Sequence, residues 1–200
     1  RPATKYTHAL CDHRGDSYFS SGPGRGGGDN QAVVTVNLLW WQACINGHAL
    51  AGGFGLVCAC DLVVAREDAL VGVTETRVGL FPMMILPFLI RNLPNRRLME
   101  FCITGEPVTA AEAAADRIVN YAVPAGELDE KLDWLLARIT DKSPTGIRLG
   151  KQGLAKIRVM TLDGALEYAQ FMLANMARTK DAVEGFRAFN EKRPPEWTGE

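Results

Sequence analysis

The chain has no excess of charge of either sign: 22 Lys and Arg stand against 23 Asp and Glu, a formal net charge of −1. That balance removes the electrostatic case for a nucleic-acid partner or an anionic membrane surface. No apolar run approaches the ~18 residues of a membrane-spanning helix, and nothing near residue 1 has the composition of a secretory leader. Cysteine is scarce and odd in number, five in 200 residues. That argues against a disulfide framework in a chain long enough to be held by burial. Cys44, Cys58, Cys60 and Cys102 all lie in apolar segments and read as reduced, buried small side chains. Cys58-Ala59-Cys60 has neither the two-residue spacer nor the second ligand pair of a zinc site, so no metal is expected. A reducing, cytoplasmic setting is the expectation from this cysteine usage.

What the chain does have is one conspicuous glycine-rich stretch, Ile45-Asn46-Gly47-His48-Ala49-Leu50-Ala51-Gly52-Gly53-Phe54-Gly55, running on to Asp61. It opens on an Asn-Gly turn signal, passes a Gly-Gly pair and becomes apolar with small residues at helical spacing. Glycine at the mouth of a helix lets a ligand approach the backbone, and the free N–H groups there suit a bound anion or an oxyanion formed during reaction. The same glycines could equally serve only the tight packing of strand, turn and helix.

Around that stretch the chain divides in three. Residues 1–31 show no apolar period and hold the low-complexity run Ser20 to Asp29, so an irregular or flexible segment is expected. Residues 32–124 read as short alternating β and α elements. One buried strand is expected within 32–45, most clearly at Gln42–Ile45, and a short helix from about Gly53. Strands follow at 62–65 and 70–73, helices at 83–92 and 95–103, and a strand at 118–124. Thr109-Ala110-Ala111-Glu112 fits a capping box. Residues 125–200 are helical, with apolar faces such as Leu128, Leu132, Leu135 and Ile139 that require a partner surface.

Several separated motifs together resemble the enoyl-CoA hydratase/isomerase (crotonase) superfamily. They are Asn46-Gly47-His48-Ala49-Leu50-Ala51-Gly52-Gly53, Cys60-Asp61, Glu75 with Gly79 and Pro82, Thr104-Gly105, Val119-Asn120, and the tail Lys192-Arg193-Pro194-Pro195-Glu196-Trp197. The resemblance covers roughly 42–198. It implies an α/β fold, a ββα spiral core with trailing helices that build trimers or hexamers. It also implies an acyl-CoA thioester as substrate, with no separate cofactor. Gly52 maps onto a backbone oxyanion donor and Glu75 onto a proton-moving carboxylate, while Gly53, Gly55 and Pro82 line the substrate pocket. Val71, Val73, Val78, Leu80 and Phe81 around Glu75 predict the partly apolar setting that suits a general acid/base.

Three departures from the family pattern shape the expected chemistry. Gly55 stands where the best-known hydratases carry a second Glu, leaving one carboxylate. That carboxylate could deprotonate a water attacking C3 and return a proton to C2, or shuttle a proton between C2 and C4. Gly55 together with Gly79-Leu80-Phe81-Pro82-Met83-Met84-Ile85 resembles hydratases of glutaconyl-type thioesters. Phe19-Ser20-Ser21-Gly22 resembles the motif before the second oxyanion donor, which makes Gly22 a site candidate. The donor position itself is then Pro23, which has no N–H. The first strands and helix of the family are missing ahead of this motif, which implies a truncated or altered N-terminus. Hydration of a 2-enoyl-CoA is therefore the expected activity. Double-bond isomerisation is the alternative within the enzyme class, and a silent acyl-CoA-binding or oligomerising paralogue the alternative outside it. His48 is expected to line the site or brace the turn, and Arg148, Lys151, Lys156 and Arg158 to form a solvated helix face.

Overall fold

The computed structural model describes residues 17–20, 32–36 and 41–200. It divides into two units, 1–133 and 134–200.

In the first unit a five-stranded sheet has the order β1-β2-β3-β5-β8, formed by Ser17–Ser20, Ala32–Val36, Trp41–Ile45, Leu62–Arg66 and Tyr121–Val123. β1, β2 and β3 are antiparallel neighbours, while β3-β5 and β5-β8 are parallel. A second sheet, β4-β6-β7, joins Ala49–Leu50, Leu70–Gly72 and Val108–Thr109. The span 1–31, expected to be irregular, thus supplies a strand at Ser17–Ser20. Residues 32–45 hold two strands where one was expected.

Parallel neighbours need a crossover, and α1 (Gly52–Ala59) provides it between β3 and β5. Its side chains are apolar all round, the composition of a helix buried between layers. Phe54, Val57 and Cys58 are buried, and the Phe54 ring meets Phe101 at 5.7 Å. α2 (Leu86–Asn92) and α3 (Asn95–Thr104) follow. Asn92 Nδ2 donates to the carbonyls of Cys58 (2.5 Å) and Phe88 (2.9 Å), closing an open carbonyl at the end of α1. Ile45, Val63, Val71, Leu89 and Phe101 complete the core. Each such side chain contributes roughly 1.5–3 kcal/mol by burial. The Thr109 capping box opens α4 (Ala110–Ala115) as expected, with Thr109 Oγ1 accepting from the Glu112 N–H and Glu112 from the Thr109 N–H.

α5 (Leu128–Thr140) leads into the helical region, followed by α6 (Pro144–Ile157), α7 (Leu162–Met176) and α8 (Lys180–Glu191). Ser143, Thr161 and Thr179 cap the last three. In the second unit two buried carboxylates hold the C-terminal tail. Asp181 accepts from Ser143 Oγ (2.8 Å) and from the N–H groups of Thr198 (2.8 Å) and Gly199 (3.1 Å). Glu184 accepts from Arg193 Nη1 (2.6 Å), the Glu196 N–H (3.0 Å) and the Arg187 guanidinium. Among the described residues no helix is long and apolar enough to cross a membrane.

Candidate active site

The parallel pairing of β4 with β6 sets Leu50 opposite Gly72. Two residues beyond the first strand stands Gly52, and three beyond the second stands Glu75. The pairing thus brings two positions far apart in sequence to one end of the small sheet. The approach is braced: Arg66 Nη1 donates to the Asn46 carbonyl (3.1 Å), and His48 Nδ1 accepts from the Leu70 N–H (3.0 Å). His48 therefore braces the turn.

Ala51, directly after β4, lies at φ 51° and ψ −124°, a conformation that favours glycine and costs ~1–3 kcal/mol in any other residue. Its N–H donates to the Gly72 carbonyl (2.9 Å), and its own carbonyl accepts from the Gly55 N–H (3.1 Å). α1 begins immediately after, with no side-chain cap and no acidic residue in its first turn. The N–H groups of Gly52 and Gly53 take no partner among the described residues. Among the described residues a Cβ at either glycine would meet nothing within 4 Å. An uncapped, unneutralised helix start of this kind stabilises negative charge that develops beside it.

Glu75 opens a single 3₁₀ turn, Glu75–Val78. Its Oε2 accepts from the Thr74 N–H at 3.0 Å, and its carbonyl accepts from the Leu80 N–H at 3.1 Å. The carboxylate is half-buried. Of the five apolar neighbours expected around it, Val71 and Val73 are fully buried, whereas Val78, Leu80 and Phe81 face outward. The apolar wall is thus one-sided. The end of α3 abuts this turn: a Cβ on Gly105, which sits at φ 66°, would lie 2.7 Å from Thr76 Oγ1. Arg77 and Glu106 pair there at 2.6 Å. One turn earlier on α3, burial and then the negative charge of Glu75 push the Cys102 thiol up. Cys102 also lies at the base of an apolar cleft of about 460 Å³ lined by Phe81, Leu86, Ile90, Leu98 and Met99.

Gly55 and Pro82 are both buried. The Pro82 carbonyl accepts from the N–H groups of Ile85 (3.2 Å) and Leu86 (3.0 Å), which starts α2. That start drives Ile85 against α1: a Cβ on Gly55 would lie 2.2 Å from Ile85 Cγ2 and 2.6 Å from Ile85 Cβ. No side chain fits at position 55 beside this isoleucine. Gly52, Gly53 and Gly55 therefore share one helix, and Glu75 is reached through the sheet. Gly22 and Pro23 lie outside the described residues. Ile85 and the backbone of Ala51 had no signal in the sequence, since neither an isoleucine nor an alanine announces such a role. Arg148, Lys151, Lys156 and Arg158 belong to the second unit, and Arg148, Lys156 and Arg158 are exposed there. Among the described residues no cluster of three or more His, Cys, Asp or Glu could hold a metal ion.

Comparison with known proteins gives consistent matches. The family described as Enoyl-CoA hydratase/isomerase matches residues 30–200. An (E)-benzylidenesuccinyl-CoA hydratase of Thauera aromatica is 30% identical over 177 residues, covering 86% of this chain and 68% of its own length. The human mitochondrial enoyl-CoA hydratase domain-containing protein 3 is 34% identical over 159 residues, covering 79% of this chain and 52% of its own. Among solved structures, an enoyl-CoA hydratase of Mycobacterium smegmatis superposes with TM-score 0.74 at 33% identity, over 78% of this chain and 61% of that one. The chain spans 52–68% of the length of the curated relatives it matches.

Proposed function

Since the chain belongs to the enoyl-CoA hydratase/isomerase family and has its crotonase-type fold, we propose that it adds water across a 2-enoyl-CoA thioester using a single carboxylate. The observation that carries the reading is the β4-β6 pairing, which sets the free N–H of Gly52 and the carboxylate of Glu75 just beyond one rung of the same sheet.

In this reading the thioester oxygen accepts from the Gly52 N–H. Glu75 takes a proton from a water, whose oxygen bonds to C3 while the C2–C3 π pair moves towards the thioester. The negative charge collects on the oxygen beside the start of α1. The proton on Glu75 then passes to C2, which restores the thioester and the carboxylate. One fixed donor of this kind is worth roughly 3–4 kcal/mol in the transition state. Glu75 serves both proton steps because position 55 is a glycine and carries no second carboxylate. Gly53 borders the acyl group, whereas Gly55 and Pro82 are buried and shape the site from behind; the CoA ester is substrate, with no other cofactor. The relative named for a benzylidenesuccinyl thioester supports substituted, glutaconyl-type enoyl esters as candidates. A trimer or hexamer acting in the cytoplasm is the proposed setting. α7 buries no residue, and Leu173, Phe186 and Phe189 border an apolar groove of about 560 Å³ on the second unit.

The experiment follows loss of the enoyl absorbance of crotonyl-CoA and of a branched glutaconyl-type thioester, with wild type and Glu75→Gln. Turnover by the wild type and its loss in Glu75→Gln is the expected result; undiminished turnover in Glu75→Gln removes the assignment. Isomerisation, favoured by the missing second carboxylate, would show as conversion of a 3-enoyl-CoA by the same residue. A protein whose melting temperature rises with CoA esters but which converts none of them is a silent binder.

A further inference from the structure

The residue before Gly52 has a backbone conformation unlike that at the other helix starts of this protein. Three other helices of this protein begin at N-caps in the ordinary extended region: Thr109 at φ −68°, ψ 153°, Thr161 at φ −66°, ψ 159°, and Thr179 at φ −68°, ψ 151°. Ala51 departs from all three at φ 51°, ψ −124°. The Ala51 carbonyl accepts from the Gly55 N–H, so the peptide that carries the Gly52 N–H is aligned with α1, and the torsions of Ala51 set the direction of that group relative to β4 and β6.

No side-chain cap holds Ala51 there, and alanine has no preference for this region; the one local bond is that of its carbonyl with the Gly55 N–H. The restraint comes from β6. The Gly72 carbonyl accepts the Ala51 N–H at 2.9 Å. Gly72 is itself wedged from behind, where a Cβ would lie 2.9 Å from Pro107 Cα and 3.3 Å from the Phe101 ring. Pro107, Gly72 and Ala51 thus form a backbone-to-backbone clamp across three separate segments. We propose that Gly72 is a positioning residue: through its carbonyl it keeps Ala51 strained and so aims the Gly52 N–H at the thioester oxygen. This inference rests on the reading of Gly52 as the donor.

The test compares wild type, Gly72→Ala and Ala51→Gly with crotonyl-CoA, together with the carbonyl stretch of bound hexadienoyl-CoA. Gly72→Ala should lower kcat at least tenfold with KM changed less than threefold, and the bound carbonyl stretch should return towards its value in water. Ala51→Gly, which adopts the same torsions without strain, should keep kcat within threefold and keep the stretch. If Gly72→Ala does not fold, amide exchange in the wild type decides. Ala51 should be protected with or without butyryl-CoA, and Gly52 only with it. An Ala51 amide that exchanges as fast as Gly52 in the free protein overturns the clamp, as does a folded Gly72→Ala with unchanged kcat and stretch. A wild type in which butyryl-CoA leaves Gly52 unprotected overturns the donor reading itself.

Discussion

Ile85 occupies the place of a side chain at Gly55, its Cγ2 only 2.2 Å from where a Cβ would stand. Two opposing effects then meet at one position. Replacing glycine by alanine inside a helix gains about 1 kcal/mol, whereas forcing a methyl group into a filled core costs roughly 1–3 kcal/mol. Gly55→Ala should therefore destabilise the protein, and in an Ile85→Ala background the same change should stabilise it. Urea denaturation of the four variants in a double-mutant cycle measures this coupling. Additive effects would show that α1 and α2 are not in contact there.

Glu75→Gln should leave the fold intact and abolish turnover. The side chain's hydrogen bond is accepted from the Thr74 N–H, and a glutamine oxygen accepts it equally well. Removing a general acid/base lowers rates by about 10²–10⁴. Steady-state kinetics beside a thermal melt separates the two effects: kcat should fall by at least about 100-fold with the melting temperature held.

The second unit should lose stability in acid over a definite window. Burial opposes ionisation of Asp181, yet hydrogen bonds from Ser143 and from the Thr198 and Gly199 backbone outweigh it and bring its pKa down to about 2. At Glu184 the Arg193 guanidinium, the Glu196 N–H and Arg187 likewise hold the carboxyl well below its usual range. Both folded pKa values lie below the unfolded ones. Their contribution is thus present above about pH 4 and disappears as pH falls through the folded values. Asp181 alone accounts for about 2 kcal/mol. Thermal melts between pH 6 and 2 should show the decline below about pH 4. Asp181→Asn should be less stable at neutral pH and lose less on acidification.

The apolar faces of α7 and α8 should disappear into an oligomer. Phe189 is 82% exposed in the chain, and Leu173 and Phe186 border the same groove. A carboxylate there would be buried without a counter-charge in a trimer but stay solvated in a monomer. If the protein assembles as the proposed trimer or hexamer, Phe189→Asp should shift it to monomer in sedimentation velocity, and an unchanged oligomer would place the interface elsewhere.

The elements legible from the sequence were those whose cause is local. Thr109 and Glu112 cap α4 because both partners lie within one turn, and the apolar face from Leu128 onward follows from helical spacing alone. The Gly52-Gly53 pair and Glu75 could also be singled out by position, since the family motifs they belong to are contiguous. The strand at Ser17–Ser20 could not, because its cause is a partner strand at Ala32–Val36 rather than a period of its own. Nor could the sequence tell that Ile85 excludes a side chain at position 55, or that Val78, Leu80 and Phe81 are exposed. Those outcomes depend on how α2 and the 3₁₀ turn pack, which is a matter of contact across the core. The strained peptide at Ala51 belongs to the same class. An alanine carries no mark of it, and the Gly72 carbonyl that accepts its N–H comes from another strand. Sequence alone thus determined which residues could do the chemistry. The tertiary structure decided that Gly52 and Glu75 follow paired strands at one end of the small sheet, and that Ile85 leaves no room for a side chain at position 55, because both outcomes depend on contacts between segments far apart in the chain.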